Sequence, residues 1–114
     1  MAGSAYRSPV LTMEQGLEQK AFVLDVVSRR LWDRGSSIDL TNKECKLLER
    51  LATQPGRTVQ RWALMADLGL MGGRSLDVQV HRLRRKLNRL GLDALQTVRK
   101  VGYRLDRTLV HRPL

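Results

Sequence analysis

The chain's residue order predicts an α+β fold, and three observations carry that prediction. Short β-branched runs crowd the first forty residues. Three helical stretches follow, and the last is amphipathic along about five turns. An alternating apolar segment with a turn at its centre then closes the chain. Together they describe an N-terminal antiparallel β-sheet, three helices and a C-terminal β-hairpin. At 114 residues this is one domain with a modest core. The domain is drawn over residues 9–107, with 1–8 a tail or linker remnant and 108–114 a frayed C-terminal tail.

Within the opening region, four strands are predicted at Val10–Glu14, Ala21–Val27, Arg29–Trp32 and Ser36–Leu40, the last after the turn Asp33-Arg34-Gly35. Strands so close in sequence favour an antiparallel meander. Thr41-Asn-Lys-Glu44 then forms a capping box, in which the Thr hydroxyl accepts the N3 amide and Glu44 reaches back to the cap. The helix it opens gathers Cys45, Leu47, Leu48, Leu51 and Ala52 on one face and stops before Gln54-Pro55-Gly56. A second helix spans about Gln60 to Leu68, with Leu64 and Leu68 inward and Thr58 or Gln60 near its cap.

The short link Gly69–Gly73 leads to the third helix, predicted from Ser75, or Arg74 one residue earlier, up to the stop at Gly91. Leu76, Val80, Leu83, Leu87 and Leu90 recur at steps of four and three, which is one continuous apolar stripe. At about 100° per residue the opposite face carries Val78, Arg82, Arg85 and Arg89, with His81 at its edge and Asp77 one turn before it, placed to pair with His81. Two helices joined by a short Gly-rich link, the second basic, form a helix-turn-helix pattern. Leu95–Arg99 and Tyr103–Leu105 then flank a turn carrying Arg99 and Lys100.

Charge narrows the partner. The net charge is +10 and the sequence pI is near 11.0, which favours a polyanion. The excess is local: from Arg74 to Arg104, nine Lys and Arg stand against two Asp. A single cysteine excludes an internal disulfide and any cysteine-based zinc site, and Cys45 reads as a small buried hydrophobe suited to a reducing cytoplasm. No apolar run approaches the roughly 20 residues needed to span a bilayer. The basic helix lacks the large apolar anchors of an interfacial membrane helix. No paired carboxylates, Cys/His or Ser/His/Asp arrangement or phosphate-binding glycine loop points to an enzyme, a metal, a cofactor or a small-molecule substrate.

A helix with this basic face fits a major groove about 12 Å wide, where Arg pairs with guanine and an apolar group meets a thymine methyl. Val78, Arg82 and Arg85 are therefore assigned to base edges or nearby phosphates. Arg84 and Lys86, on the flanks, are assigned to phosphates. Arg99 and Lys100 at the hairpin tip suit a minor groove, whose narrow A·T tracts attract cations.

Four blocks of the sequence resemble the OmpR/PhoB-type winged-helix effector domain of bacterial response regulators. They are Leu40-Thr-x-x-Glu44-x-x-Leu47-Leu48, Pro55-Gly56-Arg57-x-Val59-x-Arg61-x-x-Leu64, Arg74-Ser-Leu-Asp-Val78-x-Val80-x-Arg82-Leu-Arg84-Arg85-Lys86-Leu87, and Thr97-Val-Arg99-x-x-Gly102-Tyr103-Arg104-Leu105. The resemblance covers about residues 22 to 106, and the β-rich opening looks like that family's N-terminal four-stranded sheet. It implies a winged helix-turn-helix that binds promoter double-stranded DNA in the cytoplasm, as a tandem homodimer on direct-repeat half-sites, and regulates transcription. It implies a recognition helix at 74–90 and a wing at 96–105. By position, Val78, Gln79, Arg82 and Arg84 would face the groove or its edges. Arg61, Arg74, Ser75 and Thr97 would contact phosphates, and Arg99 would enter the minor groove. The loop before the recognition helix often meets RNA polymerase in this family.

The chain departs from the family pattern at four places. The link Gly69–Gly73 is short and lacks the customary Trp, while Trp62 appears at a position predicted to be partly exposed. Lys100 stands where the family usually has Gly at the wing turn, and Gln60 replaces a small capping residue. No phosphoacceptor pattern precedes Pro9, so the sequence reads as an excised effector domain or a stand-alone relative. The alternative function is a winged helix used for protein–protein contact or for nonspecific nucleic-acid binding. Charge on both the helix and the hairpin tip argues against a protein-only role.

Overall fold

A computed structural model describes residues 22–112. The strand predicted at Val10–Glu14 lies outside the described residues. Strands β1 (Phe22–Asp25), β2 (Arg30–Asp33) and β3 (Ser36–Asp39) form the predicted antiparallel meander. Leu24 stands opposite Leu31, and Leu31 opposite Ile38, so side-chain alternation sends one apolar face inward. Arg34 and Gly35 both take positive φ, 47° and 89°, as a two-residue hairpin between right-twisted strands requires. Asp25, nearly buried, closes the β1–β2 turn by accepting the amides of Val27 and Ser28 at 3.1 and 3.2 Å.

Helix α1 (Asn42–Ala52) starts at the predicted capping box: the Glu44 amide donates to Thr41 Oγ1 at 3.1 Å, and the Thr41 amide to Glu44 Oε1 at 2.8 Å. Its five predicted apolar residues are all buried. A short strand β4 (Val59–Gln60) precedes α2 (Arg61–Leu68), which buries Leu64 and Leu68 and ends on Gly69 at φ 67°.

Helix α3 runs from Gly73 to Arg89, beginning ahead of the predicted start at Arg74 or Ser75. Gly72 is the cap and makes no side-chain cap bond. The Arg61 guanidinium packs against this end: Nη2 donates to the Gly73 carbonyl at 3.1 Å and lies 2.7 Å from where a Gly73 Cβ would stand. A Cβ at position 73 would displace the tip of that guanidinium. At the far end Gly91, at φ 74°, donates to Asn88, and Leu92 donates to Leu87 at 3.0 Å. This Schellman pairing buries Leu92 against the last apolar turn.

The hairpin comprises β5 (Leu95–Val98) and β6 (Gly102–Leu105), with β4 added on the other side of β6. At Gly102 a Cβ would fall 1.9 Å from the Val59 carbonyl oxygen, so glycine lets these two backbones meet. The fray expected over residues 108–114 does not hold for residues 108–112, and the last two lie outside the described residues. Leu109 is buried, and β7 (Val110–Arg112) pairs in parallel with β1, Val23 opposite Val110. The outer edge of β1 presents unpaired backbone groups, and the returning chain satisfies them. Among the described residues the first sheet thus has the order β3-β2-β1-β7.

Leu76, Val80, Leu83 and Leu87 of α3 pack into the same core as the α1 leucines, Leu64 and Leu105. Each is at most 2% exposed. Burial of this stripe fixes the rotation of α3 about its axis, and therefore which residues it presents outward.

Candidate nucleic-acid interface

The outward face of α3 is as the periodicity predicts. Arg74, Ser75, Val78, His81, Arg82, Arg85 and Arg89 are exposed, and Gln79 is half-buried. Val78 retains 41% of its surface among the arginines. The wing projects Arg99 and Lys100 from its turn, where Val101 donates to Val98 at 3.0 Å and Lys100 takes φ 65°. Lys there departs from the glycine such a turn favours, and the strained conformation points a second cation into solvent.

Other candidate residues are engaged within the protein. Arg84 donates through Nε and Nη2 to the Leu95 carbonyl at 3.3 and 3.2 Å, and through Nη2 to Thr97 Oγ1 at 2.9 Å. The two phosphate candidates Arg84 and Thr97 are thus one cluster, which fastens the wing to α3. Lys86 turns inward: Nζ donates to Glu44 Oε1 at 2.6 Å and to the Asp39 carbonyl at 2.9 Å. Its assignment as a flank phosphate contact gives way to a structural pairing, because a nearly buried carboxylate needs its charge matched.

Arg61 joins three elements. Nη1 donates to Asp77 Oδ1 at 2.7 Å and to the Tyr103 hydroxyl at 3.3 Å, while its backbone amide donates to the wing-turn Val101 carbonyl at 3.0 Å. Tyr103 also donates to Asp77 Oδ1 at 2.7 Å. Asp77 therefore pairs with Arg61 and Tyr103, not with His81. Hydrogen bonds from Arg61 and then Tyr103 hold the Asp77 carboxyl below its ordinary range. Burial, then the neighbouring Asp77, pushes the Tyr103 phenol up. Burial pushes Glu44 up as well, but the Lys86 ammonium and the Thr41 amide outweigh it and leave the carboxyl below its usual value.

Sequence reasoning did not find these two networks, because the partners lie 26 and 42 positions apart. The capping box revealed one task of Glu44 and concealed the other. Arg89 also stands on the outward face of α3. It lines a cleft of about 290 Å³ with Thr41, Glu44, Arg82, Arg85 and Lys86, so the basic surface continues past the helix centre. Among the described residues no group of His, Cys, Asp and Glu could hold a metal ion. None of their helices is long and apolar enough to cross a membrane.

Comparison with known proteins places this geometry. The family described as "Transcriptional regulatory protein, C terminal" matches residues 35–105. The phosphate regulon transcriptional regulatory protein PhoB of Klebsiella pneumoniae is 33% identical over 101 residues, covering 84% of this chain and 44% of its own. The C-terminal domain of the nisin resistance regulator NsrR superposes with a TM-score of 0.69 at 30% identity, covering 80% of this chain and 96% of that one. The DNA-binding domain of the response regulator AdeR, solved with an intercistronic region, has a TM-score of 0.69 at 30% identity, with 79% and 97% covered. The chain spans under half the length of the curated relatives it matches.

Proposed function

The chain belongs to the family of C-terminal domains of transcriptional regulatory proteins, of the OmpR/PhoB winged-helix type, and we propose that it binds promoter double-stranded DNA sequence-specifically and regulates transcription. One observation carries the reading. Val78, Arg82 and Arg85 stand exposed on a helix whose opposite face is sealed into the core, so the row is held rigidly outward. In this reading Val78, Gln79, Arg82 and Arg85 face base edges in the major groove. Arg74, Ser75, Thr97 and the free edges of Arg61 and Arg84 meet phosphates. Arg99 and Lys100 enter the adjacent minor groove. The AdeR domain's complex with an intercistronic region supports the same class of ligand here.

Tandem binding on direct repeats, action in the cytoplasm and contact with RNA polymerase belong to the same proposal. The Gly69–Gly73 link offers that last partner Met71, which is 98% exposed. The chain acts by binding, with no catalytic step, cofactor or small-molecule substrate.

The test is selection from a random duplex pool at roughly 150 mM salt with excess competitor. Enriched half-sites about 10–11 base pairs apart are expected. Salt-sensitive binding without an enriched motif would overturn the specificity, and absence of binding would leave the protein-contact alternative.

A further inference from the structure

Trp62 is 69% exposed at the first turn of α2, and the DNA-reading elements assigned above leave it unused. It lines a cleft of about 530 Å³ with Gln60, Arg61, Met65, Lys100 and Val101. Its lining combines the apolar Trp62, Met65 and Val101 with two cationic residues, Arg61 and Lys100. Its indole Nε1 donates to Gln60 Oε1, which orients the ring. Val101 keeps 44% of its surface next to it.

The position of this cleft is informative. The first turn of α2 bridges the two elements that would enter the grooves. The Arg61 amide bonds to Val101 in the wing turn, and its guanidinium bonds to Gly73 at the start of α3. When a helix occupies a major groove and a wing the neighbouring minor groove, one sugar–phosphate strand runs between them. The protein surface that faces that strand is the bridging turn. Deoxyribose offers apolar C–H faces and its phosphates offer negative charge, which matches an aromatic ring sharing one cleft with Arg61 and Lys100.

We propose that the Trp62 cleft is a DNA-backbone subsite, with the indole packed on a deoxyribose and Lys100, at the mouth of the minor groove, facing the adjoining phosphate. This rests on the DNA-binding reading above and adds a sequence-independent apolar contact to it. An exposed tryptophan in one cleft with Arg61 and Lys100 suits a polyanion better than the apolar face of a protein partner.

The measurement is tryptophan emission in a Trp32→Phe protein, where Trp62 is the only tryptophan, titrated with a mixed-sequence duplex of about 14 base pairs, too short to seat two copies side by side. Binding is followed in parallel by duplex anisotropy. We expect a blue shift and quenching that saturate together with the anisotropy. In the otherwise native chain, Trp62→Ala should weaken binding about fivefold or more on every sequence, with an unchanged salt slope because no cation is lost. Trp62→Tyr should retain most of the affinity.

Anisotropy that saturates while Trp62 emission stays constant, with Trp62→Ala binding as tightly as the native chain, would overturn the subsite and leave the DNA-binding reading intact. An emission change that follows protein concentration without DNA would assign the cleft to a second copy instead. Failure to bind any duplex would end both proposals.

Discussion

Arg82 and Lys86 are four positions apart on one helix, yet their surroundings give them opposite tasks. Arg82 is exposed and has no ion pair among the described residues, so its guanidinium is available to a base edge. Arg82→Ala should cost about 1–3 kcal/mol on the preferred site and relax preference at one or two base pairs, read by competition with point-substituted duplexes. Equal weakening on all sequences would reassign Arg82 to a phosphate. Lys86 instead neutralises Glu44, whose side chain is 2% exposed. Because the folded Glu44 pKa lies below its unfolded value near 4.5, the charged pair stabilises the fold above that pH. The contribution disappears as pH falls from there through the folded pKa. Glu44→Gln keeps an acceptor for the Thr41 amide and removes only the charge. In urea denaturation it should be less stable than the native chain at pH 7, and the gap should close as pH drops below about 4.5. A gap independent of pH would mean that shape, and not charge, holds this site.

At the scale of elements, the wing turn sets charge against backbone strain. Lys100 at φ 65° pays roughly 1 kcal/mol relative to glycine. Lys100→Gly should therefore stabilise the free protein by about 0.5–1 kcal/mol in chemical denaturation, while weakening binding to DNA at low salt. No gain in stability would show that the turn relaxes when the side chain is removed. This turn also marks where sequence reading stops. The Arg99-Lys100 tip was legible from alternation and turn residues, but its backbone conformation depends on β6 being held against β4 at Gly102. Helix α1 was fully legible, since its cap is local. The start of α3 was not, because Gly72 at the cap has no side chain to mark it.

For the whole molecule, the helical period of the leucines was enough to orient α3, since one buried stripe fixes the opposite face. Long-range pairings left no such periodic trace. Neither the Arg61–Asp77–Tyr103 network nor the parallel return of β7 to β1 follows from a repeat in the residues. These unseen pairings bear on the number of DNA phosphates the chain can neutralise. Arg74, Arg99 and Lys100 are exposed cations, whereas Arg61 and Arg84 already serve Asp77, Gly73 and Leu95. Each phosphate neutralised on duplex DNA contributes about −0.9 to the slope of log K against log salt. If all five arginine and lysine side chains neutralise phosphates, Arg99 and Lys100 those that line the minor groove, one copy on a half-site should show a slope of about −4.5. If the internal bonds hold Arg61 and Arg84 back, it should be about −2.7. Anisotropy titrations between about 50 and 200 mM salt separate the two. Arg74→Ala should then reduce the slope by about 0.9, and Val78→Ala should leave it unchanged while altering base preference. A slope near zero for the native chain would contradict a phosphate-anchored complex, because a domain with this basic face cannot approach duplex DNA without displacing counterions.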